Sequence, residues 1–332
     1  MTLKSSEQDI RAKRAEVQRP FLGESILKDF ALNLKCRESA GKILDDLKML
    51  KQRSVSFDPF LEIGAGNGQR SAALTNHYPV IGVATDISQN SLRNTPYVLS
   101  LLDYDHKPML ICCDALHLPV LPNSFQFVFA YQTLHHFENP APAAAECYRV
   151  LGKGGHFFFN DEPMDSPFRR LLRGKRMLSH PPSRWQKLGY RLGVEKVFWD
   201  DGELPRSLGM TEARFDVDVW RKLLRPFVIV DIEINRRLKI RSDLQKPVLN
   251  SFLAGCIGGN VKGLCLKAEG EAVSGDFRKR LICLDCNLAR LSHLEQNQLV
   301  CGNCGRTYPI IEDVVRMLPQ DLEVQLYPKQ SA

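Results

Sequence analysis

Apolar positions along this chain follow two rhythms. Between residues 24 and 50 they recur at helical spacing: Ile26, Phe30 and Leu34 lie four apart, and Ile43, Leu47 and Leu50 continue the pattern. This predicts helices that pack on or cap whatever follows. From about residue 58 the rhythm changes. Short β-rich runs up to Glu62 and at 79–88, 109–119, 124–137 and 156–160 alternate with helix-like stretches. That alternation predicts an α/β fold with a parallel, doubly wound sheet. Ser88 is placed to cap the helix after the second run, and Pro96 must interrupt that helix. Gly152 follows Leu151 and reads as a helix-ending glycine. Residues 161–214 are rich in Pro, Arg and Gly and read as an insertion or lid. Residues 215–225 read as a helix, with Val217, Trp220, Leu223 and Leu224 on one side. Residues 227–234 and 263–268 read as a sixth and a seventh strand, and 269–279 as a polar linker.

The first β-rich run ends in Glu62, and glycines follow at every second position: Gly64, Gly66 and Gly68. Only residues without a Cβ turn that tightly and still lie against a ligand. The dinucleotide fingerprint G-x-G-x-x-G would need its third glycine at position 69, which is Gln69, so a nicotinamide dehydrogenase is disfavoured. The G-x-G-x-G spacing resembles the first motif of the class I S-adenosylmethionine (SAM) dependent methyltransferases. Later motifs come in the same order: Asp86 ends the second run, Asp114-Ala115 the third, Tyr131-Gln132-Thr133-Leu134 the fourth, and the segment from Arg149 to Gly155 precedes the fifth. The resemblance covers roughly residues 55–165 and is nearest the small-molecule, type 11 branch. It implies a Rossmann-like, seven-stranded sheet whose seventh strand is antiparallel. It also implies a cofactor loop of Glu62, Gly64, Ala65, Gly66 and Gly68. Asp86, with Ile87, would accept hydrogen bonds from the ribose hydroxyls, a task suited to a carboxylate because it only accepts. Asp114 and Ala115 would lie near the adenine, and Tyr131 near cofactor or substrate.

Composition narrows the setting. The chain has 332 residues, of which 44% are hydrophobic, enough for one large domain and a smaller one. No run approaches the ~20 apolar residues of a membrane span. The N-terminus has no apolar core behind its charges, so a secretory signal is not expected. A cytoplasmic, reducing compartment is therefore expected, and the 10 cysteines read as thiols or metal ligands. The net charge is +7. Between Arg169 and Lys196 stand nine Lys/Arg against one acid, Glu195. Phe168, Met177 and Trp185 are interleaved with these charges. The stretch 168–196 therefore reads either as a solvated basic face or as a contact for a phosphate, an RNA backbone or a membrane surface.

At the C-terminal end, Cys283-x-x-Cys286 and Cys301-x-x-Cys304 are separated by 14 residues. Two such knuckles can present four thiolates to one Zn2+. A piece this small needs the metal to supply its folding free energy. The second knuckle, followed by Tyr308-Pro309-Ile310-Ile311 and then Met317-Leu318-Pro319, resembles the small zinc-ribbon protein that partners and activates several methyltransferases. That family usually has a proline where Leu284 stands. The resemblance covers about residues 279–320 and implies a structural zinc ribbon, a module through which a protein partner can also dock. The expected layout is N-terminal helices at 1–54 and a methyltransferase domain at 55–270, with the lid at 161–214. A linker at 271–278, the ribbon at 279–320 and a tail at 321–332 complete it.

Methyl transfer from a sulfonium mainly requires orientation, plus a base if the acceptor is a hydroxyl. His136 and His135, just after the fourth strand, are the first candidates, because imidazole titrates near neutral pH. A loop-capping role is the competing reading for one of them. Asp161 and Glu162, after the fifth strand, come next. The leading expectation is a methyltransferase acting on an O or N of a small-molecule or glycan-type, anionic acceptor. An RNA methyltransferase using the ribbon and the basic insertion is the second, and a non-catalytic SAM- or partner-binding scaffold the third.

Overall fold

In the computed structural model, the described residues are 21–164, 215, 217–235, 242–243, 259–273, 275–289, 291–295 and 297–327. Nearly all of the expected lid, and the whole basic stretch 168–196, lie outside them. The helices are α1 (Ser25–Lys28), α2 (Phe30–Gln52), α3 (Gln69–His77), α4 (Gln89–Leu92), α5 (Thr95–Leu102), α6 (Ala141–Val150), α7 (Val217–Leu223) and α8 (Gln320–Leu326). The strands are β1 (Phe60–Ile63), β2 (Gly82–Asp86), β3 (Met109–Cys113), β4 (Phe125–Tyr131), β5 (Leu151–Met164), β6 (Val228–Asn235), β7 (Ser242–Asp243), β8 (Gly259–Leu266), β9 (Leu291–Glu295), β10 (Gln298–Cys301), β11 (Thr307–Ile311) and β12 (Val314–Met317).

All twelve strands join one sheet, in the order β7-β6-β8-β5-β4-β1-β2-β3-β12-β11-β10-β9. Strands β1 to β5 pair in parallel, and β8 is inserted antiparallel between β5 and β6. The seven-stranded sheet expected from the sequence is thus exceeded. β12 adds in parallel to β3, and the β9–β11 meander follows it outward. The C-terminal piece continues the main sheet instead of standing apart on a linker.

Strand alternation separates two cores. Phe127, Phe129, Tyr131 and Phe158 face Ile43, Leu47 and Leu50 of α2. Val128, Ala130, Phe157 and Phe159 face the other way, toward α6, Trp220 and, further along, Tyr308. The strands carrying the aromatic residues are therefore buried on both faces.

Three local expectations need correction. The helical period of 24–50 holds, but Phe30 is 82% exposed and Leu34 44% exposed. The inward stripe of α2 is Cys36, Ala40, Ile43, Leu47 and Leu50. Gly152 does not end α6, since Leu151 caps it in an extended conformation. Instead Gly152 lies where a Cβ would come within 2.6 Å of Val273 Cγ2, so close packing of 272–273 requires the glycine. The last residue of the expected ribbon and residues 321–326 of the expected tail form α8, which buries Leu322. The Ser88 expectation fits: its hydroxyl accepts from Ser91 N at the start of α4, and Pro96 sits in the first turn of α5.

Candidate functional site

The C-terminal ends of β1, β2 and β4 converge on the glycine turn. Gly64, Gly66 and Gly68 have φ of +67°, +59° and +75°. A Cβ on Gly64 would run into the side chain of Thr133, and one on Gly68 would lie 2.7 Å from Thr95 Oγ1. The turn is thus both left-handed and crowded, which explains glycine there. Gly66 N donates to Asp86 Oδ2 at 2.8 Å, and Ser88 N to Asp86 Oδ1 at 2.9 Å. Asp86 is thereby fixed at the tip of β2. Asp114, at the tip of β3, accepts from Leu116 N at 3.0 Å and lies 3.4 Å from His117 Nδ1. Ile87 packs with Ala65, Leu92, Leu318 and Leu322, and Ala115 packs against the larger core.

Glu62 is fully buried beneath this turn. Its Oε2 accepts from Ser71 N at 3.1 Å and Ser71 Oγ at 2.5 Å. Its Oε1 has no hydrogen-bond partner and lies 3.9 Å from Arg70 NH1. Burial pushes the Glu62 carboxyl up to about 7, against the pull of Arg70 and Ser71. Tyr131 points its hydroxyl to helix α2, donating to Asp46 Oδ2 at 2.6 Å, and carries Arg70 over its ring at 4.7 Å. Asp46 also accepts from Asn160 Nδ2 at 2.7 Å and from Lys262 Nζ at 2.5 Å.

A second group gathers where β4 and β5 end. Glu162, fully buried, accepts from Thr133 N (2.7 Å), Leu134 N (3.1 Å) and His135 N (3.1 Å), the start of a short 3-10 turn over Leu134–His136. Its Oε2 also lies 2.8 Å from His135 Nδ1. A carboxylate only accepts, so Nδ1 carries the proton and Nε2 is the basic nitrogen of His135. The His136 ring lies beside it, tilted by 42°, with centroids 4.0 Å apart. Asp161 pairs with Lys42 of α2, and its N–H donates to Asn160 Oδ1 at 2.7 Å. Gln132 (φ +52°) and Asp161 (φ +61°) are non-glycine residues in the left-handed region at these adjacent strand ends. Such conformations cost of order 1–3 kcal/mol each and cluster at functional sites.

The four thiols at 283–304 come together: all four Sγ atoms lie within 4.8 Å of one another. Cys283 and Cys304 are 3.5 Å apart, as are Cys286 and Cys301. A tetrahedral ion with Zn–S of about 2.3 Å needs sulfurs ~3.8 Å apart, so the donor set fits a soft, four-coordinate metal. Both knuckles close the same way. Asn287 N donates to Cys283 O and Gly305 N to Cys301 O, with φ of +58° and +74° at the two donors. Gly305 takes this left-handed conformation without a Cβ, and Asn287 is its non-glycine counterpart.

Residues 61–159 match the family model described as the methyltransferase domain. That segment, under a third of the chain, is similar to methyltransferase domains, and the class this similarity points to is the SAM-dependent methyltransferase. Over 104 residues the chain is 28% identical to 27-O-demethylrifamycin SV methyltransferase of Amycolatopsis mediterranei (strain S699), covering 31% of this chain and 38% of that protein. It is 30% identical over 104 residues to malonyl-[acyl-carrier protein] O-methyltransferase of Marinomonas sp. (strain MWYL1), covering 31% and 37%. The chain thus spans under two fifths of the length of these curated relatives. Among solved structures, it is similar to the chain in complex with the Haloferax volcanii Trm112 methyltransferase activator (15% identity, TM-score 0.40, 64% of this chain and 83% of that one).

The cofactor of this class fits the turn on two observations: main chain without Cβ atoms, and a buried carboxylate oxygen left without a partner. Sequence reasoning ranked Glu162 after the histidines. It missed Lys42 and Asp46, because α2 lies more than eighty residues before the strand ends it meets, and it missed Arg70, which no local pattern marks.

Proposed function

We propose that this chain transfers a methyl group from SAM to an oxygen or nitrogen of a small-molecule or glycan-type acceptor. Glu62, Gly64, Ala65, Gly66 and Gly68 would hold one end of the cofactor. Asp86 with Ile87 and Asp114 with Ala115 would hold the nucleoside, and Tyr131 would support the site from beneath. SAM brings an already activated methyl group. The protein's share is orientation and removal of a proton from the acceptor. The His135–Glu162 pair carries this reading. Glu162 fixes the imidazole and its tautomer, leaving Nε2 to take the acceptor's proton. His136, beside His135, and Asp161, held by Lys42, would border the acceptor. The four-cysteine cluster suits a structural Zn2+, with Cys283, Cys286, Cys301 and Cys304 as ligands.

The test is transfer of labelled methyl from SAM into a cell extract separated into RNA, protein, lipid and small-metabolite fractions. Label is expected in the small-metabolite fraction, and His135→Ala is expected to lower it by about 10²–10⁴-fold. Label confined to RNA would replace this reading with the nucleic-acid one, in which the basic stretch 168–196 and the ribbon would take the substrate. Label in no fraction would favour a binding scaffold.

A further inference from the structure

Tyr308 is fully buried on β11, the strand that leaves the second cysteine knuckle, yet its hydroxyl reaches into the first. The phenol oxygen accepts from Leu284 N at 2.8 Å and lies 3.3 Å from Cys283 Sγ. A phenol carries one hydrogen, and an N–H only donates. The Tyr308 hydrogen therefore goes to the Cys283 sulfur. A cysteine that ligates a metal is a thiolate and can only accept, so the direction is the same when an ion is bound. A hydrogen bond to a charged acceptor is also stronger than one between neutral groups.

The main chain of Cys283 is already fixed. Its N–H donates to Leu288 O at 3.1 Å, and its carbonyl accepts from Asn287 N at 2.8 Å. What is left to the sulfur is rotation about the Cα–Cβ bond, and the Tyr308 hydroxyl restrains that rotation. Tyr308 can do so because its own place is set elsewhere. Strand pairing puts it opposite Leu299 of β10, and its ring belongs to the larger core. The hydroxyl thus braces a ligand of one knuckle against the strand that follows the other. Leu284 completes the brace with a main-chain N–H. Proline, usual at that position in the ribbon this segment resembles, has no N–H to give. The arrangement depends on a departure of this chain from that pattern.

We infer that Tyr308 is a positioning residue of the four-cysteine centre. Backed by Leu284 N–H, it aims the Cys283 thiolate at the shared ion and sets how tightly the ion is kept. This rests on the structural Zn2+ reading proposed above. Groups that hydrogen-bond to metal ligands orient them and tune their electron donation.

The experiment has two readouts on the full chain. Zn2+ affinity is measured by competition with a chromophoric chelator, and the sulfur-to-metal charge-transfer band is recorded after loading with Co2+. Tyr308→Phe removes the donor, Leu284→Pro removes the N–H behind it, and Leu284→Ala keeps that N–H. Tyr308→Phe is expected to weaken Zn2+ binding by about 10–100-fold. It is also expected to move the band to longer wavelength, since a sulfur without the hydrogen bond gives up electrons more readily. Leu284→Pro is expected to shift both readouts the same way by less, because linked hydrogen bonds strengthen one another. Leu284→Ala is expected to shift neither. Should Tyr308→Phe fail to fold, the two Leu284 variants decide. An unmoved band in Tyr308→Phe, whatever its affinity, or equal effects of Leu284→Ala and Leu284→Pro, would overturn the brace alone. Wild type holding neither Zn2+ nor Co2+ would overturn the metal reading and the brace with it.

Discussion

Two buried carboxylates, Glu62 and Glu162, do different work because their hydrogen bonds differ. Glu162 has its oxygens filled by three backbone N–H groups and one imidazole. Glu62 has one oxygen filled and one empty. With the ligand absent, that imbalance makes Glu62 a cost to folding once it ionises. Its folded value is raised from 4.5 to about 7, so its contribution to stability is full below 4.5 and is lost as pH climbs through 7. Glu62→Gln, which cannot ionise, lacks this loss. The stability difference between variant and wild type is therefore expected to move toward the variant by about 3 kcal/mol as pH rises from roughly 4.5 to 8. Urea unfolding at the two ends of that window checks the sign. A difference constant with pH would mean that Glu62 is ordinary in the folded chain.

At the scale of elements, α2 organises the site from behind. Asp46 ties together β4 through Tyr131, β5 through Asn160 and β8 through Lys262. One turn earlier, Lys42 holds Asp161 at its left-handed corner. Asp46→Ala would strand a largely buried ammonium together with a phenol and an amide. A loss of about 3–5 kcal/mol in chemical unfolding is expected, where a surface ion pair would cost under ~1 kcal/mol. None of this was legible in the sequence. The strand runs and the glycine turn were, because apolar blocks and left-handed glycines leave local marks. The stripe Ile26-Phe30-Leu34 also left a local mark, yet Phe30 and Leu34 point to solvent, since period sets a face and only tertiary packing decides what covers it. The His135–Glu162 pair spans 27 residues, and nothing near either residue announces the other.

Across the whole molecule, the C-terminal segment is bound into the catalytic sheet along two seams. One is the β12–β3 pairing, flanked by Arg93–Glu312 and Lys107–Asp313. The other runs along 277–282, where Phe277 packs on Phe125, Ile282 N donates to Pro119 O, and Arg280 donates to Ser124 Oγ and Pro122 O. Arg316, 1% exposed on β12, reaches inward from the first seam, contacting Glu323 and Gln89 and lying 4.3 Å from the Tyr327 ring. Gln89 follows the Asp86 tip by three residues, and Leu318 and Leu322 belong to the same buried cluster as Ala65 of the glycine turn. The cysteine knuckles were plain from their spacing. Their fusion into the sheet was not, because a parallel pairing over two hundred residues apart carries no turn signal between its strands.

The central claim is that SAM is held on the turn of Gly64, Gly66 and Gly68. Equilibrium binding of SAM to the full chain, beside Gly64→Val, tests it most directly. A Cβ there meets Thr133 at a φ of +67°. Wild type is expected to bind one equivalent, and the variant, checked for retained helix and sheet content by circular dichroism, is expected to lose at least ~100-fold in affinity. No binding to well-folded wild type, or undiminished binding to Gly64→Val, would contradict it.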